Sequence, residues 1–284
     1  MLLIKQLINI KNLIIKFFNF YINSSLHVSL AVVCFQYITL LKFDINVDYI
    51  LLIFSFCLSL NAYNFIKYFE IVFLKSQKKS VSLKLICFLT FISIVTSLFI
   101  TTKLTGEMLV LFLLMSLLTL FYFFPFNSVN KSLRKTPGLK IFIVAIVWSL
   151  LIAVLPIINF TDKLDTSFLI YFTQVLIFVV VTIFPFEIRD LNSDSKQLHT
   201  IPQRIGINNT KILGFCLLFV FIILDYIQYG ILYFINFKSL LINSVVCLIT
   251  FILILKSEQK QSIYFSSFWV ESLPILWLLL YVFL

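Results

Sequence analysis

Long apolar runs recur along this chain with only short polar breaks between them, and they leave it few possible folds. Nine candidates fall at 26–42, 49–69, 83–101, 107–126, 139–158, 167–187, 211–234, 238–255 and 264–283. Each is close to the roughly 20 residues a helix needs to cross hydrocarbon. In lipid every backbone N–H and C=O must find its partner within the protein, so only helices and closed barrels span a bilayer. Barrel strands are about 10 residues of alternating polarity, and these runs do not alternate. The expectation is an all-α integral membrane protein with nine transmembrane helices. Polar segments follow the second and the sixth run, which predicts two four-helix halves plus one further helix.

Charge sets the orientation. Only 12% of the 284 residues are charged and the mean hydropathy is +1.08, whereas a soluble domain carries about 25% charged residues. The net charge of +10 raises nucleic acid as a partner, but its distribution gives another reason for it. With the N-terminus inside, 18 of the 22 Lys and Arg fall on inner segments; Lys42, Lys103, Lys163 and Lys238 fall outside. That is the positive-inside bias of a polytopic membrane protein. It predicts a bacterial inner-membrane location with the N-terminus and the polar loops in the cytoplasm, and membrane lipids rather than nucleic acid as surroundings.

Residues 1–23 read differently from 24–284, which form one polytopic membrane domain. Lys5, Asn9, Asn12, Lys16, Asn19 and Asn23 recur every three or four residues on an otherwise apolar segment. This spacing predicts an amphipathic helix lying at the cytoplasmic interface. A signal peptide fits less well, because lysines recur through the apolar part and no small-residue cleavage site stands out. The five cysteines are scattered singly through the apolar runs and the two histidines are far apart. That excludes a disulfide framework and a Cys/His metal centre.

The segment from Phe184 to Gly206, FPFEIRDLNSDSKQLHTIPQRIG, carries the most chemistry. As a helical extension of the preceding run it puts Glu187, Asp190 and Asp194 at i, i+3 and i+7, on one face. Three acids on one stripe repel unless a positive charge sits among them, and a divalent cation bound to phosphate is the simplest candidate. Arg189 stands among the acids and is also able to neutralise one of them locally. Glu271 lies within the last run, where a carboxylate at membrane depth usually faces a cavity or the bundle interior. It is placed to orient a substrate or take up a proton.

With these residues the chain resembles the UbiA superfamily of intramembrane prenyltransferases, which have nine helices and two polar motifs after helices 2 and 6. The second family motif is approximately N/D-x-x-R-D-x-x-x-D, followed by Thr-Leu-Pro and Gly. Here Arg189, Asp190 and Asp194 follow it with Glu187 near its head, and Thr200, Ile201, Pro202 and Gly206 come after. The Arg before Asp190 is closest to the menaquinone-type branch. The first family motif, N-D-x-x-D-x-x-x-D, corresponds to 61–69, where Asn61 matches but Ala62, Phe65 and Phe69 replace the aspartates. Alanine and phenylalanine cannot ligate a hard cation.

The resemblance implies transfer of a prenyl group from a prenyl diphosphate to an aromatic or other lipophilic acceptor, with Mg²⁺ as cofactor. It implies Glu187, Asp190 and Asp194 as metal ligands, with Asp190, Asp194 and Lys67 as the catalytic set. Asn61, Asn64, Lys131, Arg134, Lys140, Arg189 and Glu271 become candidate substrate-binding residues. Each has a plainer reading. Asn61 and Asn64 are equally suited to interhelical hydrogen bonds, Lys67 to reaching the interface, and Lys131, Arg134 and Lys140 to the inside bias alone. The loss of the first motif leaves a second function open, a non-catalytic protein that binds an isoprenoid lipid. A transporter fits less well, because Gly- or Pro-broken helices in paired positions are lacking.

Overall fold

The computed structural model describes residues 2–74, 80–124, 138–195 and 198–284, with the side chains of 2–10, 74 and 161 left aside. Among these residues the chain is helical throughout, with no strand. Ten helices follow in order: α1 Leu2–Asn23, α2 Leu26–Lys42, α3 Tyr49–Phe69, α4 Val81–Thr101, α5 Gly106–Phe123, α6 Leu139–Ser149, α7 Thr166–Asp190, α8 Ile201–Gly230, α9 Phe237–Leu255 and α10 Leu273–Phe283. All nine expected runs are helical, but the count of nine spans is not reached. Seven helices are long and apolar enough to cross a membrane, and an eighth is gained if α1 and α2 count as one bent span. The segment Leu139–Val154 is a shorter apolar helix.

Helix starts opposite the motif-bearing end are set by short polar side chains. Asp48 accepts from the amides of Ile50 and Leu51 at 2.9 and 3.2 Å, Asp165 from Phe168 at 2.9 Å, and Asn236 from Ser239 at 2.8 Å. Each supplies an acceptor for first-turn N–H groups that have no partner within the helix. α8 starts on a capping box between Thr200 and Gln203, with Pro202 in its first turn. Gly206 (φ +80°) then kinks it, a conformation open to glycine because it lacks a Cβ. α1 ends at Asn23, and Ser25, the residue before α2, takes a left-handed conformation (φ 63°). The chain bends there by 57° into α2.

Three π turns extend helices around the bundle: Glu70–Leu74 after α3, Leu150–Val154 after α6 and Phe265–Val270 before α10. A π turn re-aims side chains and loosens the regular carbonyl ladder. Two carbonyls of the second are taken up across the bundle, Leu151 O by Gln36 Nε2 at 3.3 Å and Ile152 O by Thr39 Oγ1 at 3.0 Å.

Helices α2 to α4 and α5 to α10 pack in chain order, α4 and α5 barely touch, and α10 returns to α2. α7 is the most enclosed span, while α4 and α5 turn most of their surface outward. Phe35, Phe54, Phe178, Phe184, Phe221 and Trp277 form the buried centre. Gly214 on α8 permits close approach there: a Cβ at that position would meet Phe184 of α7 at 3.2 Å and Ile254 of α9 at 3.3 Å. Asp225 is buried beside them, and its Oδ1 accepts from Gln174 and Asn243, both at 2.9 Å. It ties α7, α8 and α9 together at depth.

Candidate active site

The segments after α3 and at the end of α7 meet at one end of the bundle and bring charged residues into two adjoining groups. The first contains Lys67, Arg189 and Glu271. Lys67 donates to Ser25 Oγ at 3.0 Å and lies 5.9 Å from the centroid of the Tyr63 ring. Lys67 and Arg189 both act electrostatically on Glu271. Tyr63 and Glu271 are half-buried and Lys67 is exposed. Among the described residues Glu271 makes no ion pair within 4.0 Å. Tyr63 accepts from Trp148 Nε1 at 3.0 Å.

Arg189 joins this group to the second. Its Nε and Nη2 hold both carboxylate oxygens of Asp190 at 2.7 and 3.0 Å, and its Nη1 donates to Ser266 Oγ at 2.6 Å. Ser266 stands on the π turn that leads into Glu271. The planar fork of arginine fixes such a geometry in a way a lysine ammonium does not. The second group is Glu187, Asp190, Asp194 and Lys140. Lys140 Nζ contacts Asp194 Oδ2 at 2.9 Å and also acts on Glu187. Glu187 is only 2% exposed, and its Oε2 has no partner.

Glu187 and Asp190 lie three residues apart on α7, which ends at Asp190. The amides of Ser193 and Asp194 donate to Asp190 O at 3.0 and 2.8 Å, the second a helix-type bond over four residues, so one more helical turn carries the chain to Asp194, which pairs with Lys140 of α6. Among the described residues no three His, Cys, Asp or Glu side chains are arranged to hold a metal ion. Asp190 and Asp194 are each engaged by a cation of the chain, and only Glu187 Oε2 is an open buried donor. As arranged, these residues do not fit a Mg²⁺ site.

The other expected residues lie apart. Asn64 Nδ2 donates to Thr90 Oγ1 at 2.9 Å and Asn61 Nδ2 to Ser97 Oγ at 3.4 Å, so both bind α4. The Oδ1 atom of each is buried without a partner. Phe65 and Phe69, at the positions of the missing family aspartates, pack with Phe123 at 5.0 and 5.3 Å between ring centroids. That corner is an aromatic cluster. Lys131 and Arg134 lie outside the described residues. Ser25, Ser266, Tyr63 and Trp148 were not singled out as site residues from sequence. Tyr63 sits inside the first motif window, the one signal that pointed to any of them.

An all-helical bundle with a cluster of charged residues at one end, built from the ends of its second and sixth long runs, defines a class of intramembrane protein. Two solved structures share that fold. A UbiA homologue from Aeropyrum pernix K1 aligns at TM-score 0.64 and 15% identity, covering 90% of this chain and 98% of that one. A structure of digeranylgeranylglyceryl phosphate synthase aligns at TM-score 0.57 and 13% identity, covering 94% and 97%. The chain has the UbiA-type prenyltransferase fold over nearly its whole length. No family model and no curated protein matches the sequence.

Proposed function

We propose that this protein is an intramembrane prenyltransferase that moves a prenyl group from a prenyl diphosphate to a lipophilic acceptor. The observation that carries this reading is that Lys67, Arg189 and Glu271, from segments far apart in sequence, come close enough at one end of the bundle to act on one another. The fold shared with the two solved structures supports it. Lys67 and Arg189 are the cations of this group, and fixed cations stabilise charge gathering on a departing diphosphate; Arg189 does so by exchanging part of its hold on Asp190 or Ser266 for the phosphate. Lys140 is close enough to Glu187 to balance the acids behind them. Glu271 belongs to the same group and is the residue to orient the acceptor and take the proton it loses on alkylation. The packed helices keep water from the allylic cation. No step in this reading runs through Mg²⁺.

The second reading, a non-catalytic isoprenoid-lipid binder, draws on the aromatic cluster of Phe65, Phe69 and Phe123 where the family places metal-binding aspartates. One assay separates the two. Purified protein is incubated with labelled geranylgeranyl or longer diphosphate and a quinone-precursor or lipid-alcohol acceptor. A labelled lipid product with released diphosphate supports transfer. Binding of the donor with no product across these acceptors supports the binder.

A further inference from the structure

The polar stripe of α1 has no part in the charged cluster, and its last three members converge on another feature. Lys16, Asn19 and Asn23 line a groove of about 680 Å³ whose far side carries Ser80 and Ser82 at the start of α4. Its floor is apolar, with Phe20, Ile71 and Leu83. Ile71 in this floor is 40% exposed, so the floor reaches the bundle's outward surface. The other flank of α1 is pinned to the π turn before α10, where Phe18 packs on Tyr264 at 5.4 Å and on Phe268 at 5.1 Å. On the groove side, Tyr68 donates to Asn23 O at 2.8 Å and bounds the opening.

From this we infer that the groove seats the head of an anionic phospholipid, and so that part of the stripe serves as a lipid site and not only as a wetted helix face. Charge and shape select this occupant. The rim offers the ammonium of Lys16, the side-chain amides of Asn19 and Asn23 and one hydroxyl hydrogen of the bonded Ser80–Ser82 pair, while Asn19 Oδ1 is taken up by Tyr264, and no carboxylate is among the described lining residues. Lys16 makes no ion pair among the described residues. A phosphate with a net negative head satisfies the rim, while its acyl chains follow the apolar floor outward. Interfacial basic residues favour anionic lipid in this way. The proposal does not depend on prenyl transfer.

The test is lipid binding to the full chain in detergent, read by native mass spectrometry with phosphatidylglycerol and phosphatidylcholine of matched acyl chains. Phosphatidylglycerol is expected to bind more tightly, and Lys16→Ala to weaken it about fivefold, the factor attached to one interfacial lysine near anionic lipid. Lys16→Gln, which keeps the length of a polar side chain, is expected to do the same. Lys84→Ala, an exposed lysine one turn away and outside the groove, is expected to leave binding unchanged. Equal binding of the two lipids overturns the proposal. So does an equal loss in Lys84→Ala, which would mean diffuse surface charge and no seat.

Discussion

Lys67 of α3 and Glu271, at the start of α10, act on each other at one end of the bundle without forming a direct ion pair. The lysine is held instead by Ser25 Oγ at 3.0 Å. That leaves the Glu271 carboxyl without a direct cationic partner among the described residues.

The first consequence concerns Lys67. Replacing it with Ala removes one of the two cations that act on Glu271. Charged hydrogen bonds contribute about 1.5–3 kcal/mol each, so affinity for a prenyl diphosphate falls by about ten- to a hundredfold. Isothermal titration or a thermal-shift series with the donor reads this directly, and affinity within twofold of wild type would count against the assignment.

Glu271→Gln separates donor binding from chemistry. The amide keeps the shape and removes the negative charge beside Lys67 and Arg189. Donor binding is expected to hold or tighten, while product formation falls at least a hundredfold. Equal loss of both would make Glu271 a structural residue.

Chelation bears on the acids at the end of α7. Asp190 and Asp194 already hold Arg189 and Lys140, so EDTA is expected to weaken donor binding less than Lys67→Ala does. A larger loss with EDTA would show that those two ion pairs open to admit a metal.

Gly214 tests the packing under the site. A Cβ there would meet Phe184 at 3.2 Å and Ile254 at 3.3 Å, so Gly214→Val forces α7, α8 and α9 apart. Overpacking of this kind costs about 1–3 kcal/mol. It is expected to appear as a lower unfolding temperature in detergent, with Gly230→Val, which meets only the Tyr226 ring at 3.8 Å, as the milder comparison.

Much of this architecture was legible in the sequence because lipid imposes one rule on every apolar run. The nine runs marked nine helical segments, and the polar ends of 61–70 and 187–194 did meet. What escaped was set by contacts distant in sequence. Spacing puts Asp194 one turn beyond Asp190, where its amide bonds Asp190 O, but it does not show that the carboxylate pairs with Lys140, 54 residues away. Asn61 and Asn64 sit in the motif window, yet their amides bind Ser97 and Thr90, a choice made by the approach of α4. Ser25 and Ser266 are small hydroxyls with no periodicity to mark them. They matter because one stands in the bend before α2 and holds Lys67, and the other stands on a π turn and holds Arg189.

The most direct measurement is a structure of the protein with a non-hydrolysable prenyl thiodiphosphate. The account predicts diphosphate density between Lys67 and Arg189, with Glu271 beside the first isoprene unit and the tail running between helices. Density for the head anywhere else on the protein, with the Lys67–Glu271 cluster unchanged, would contradict it.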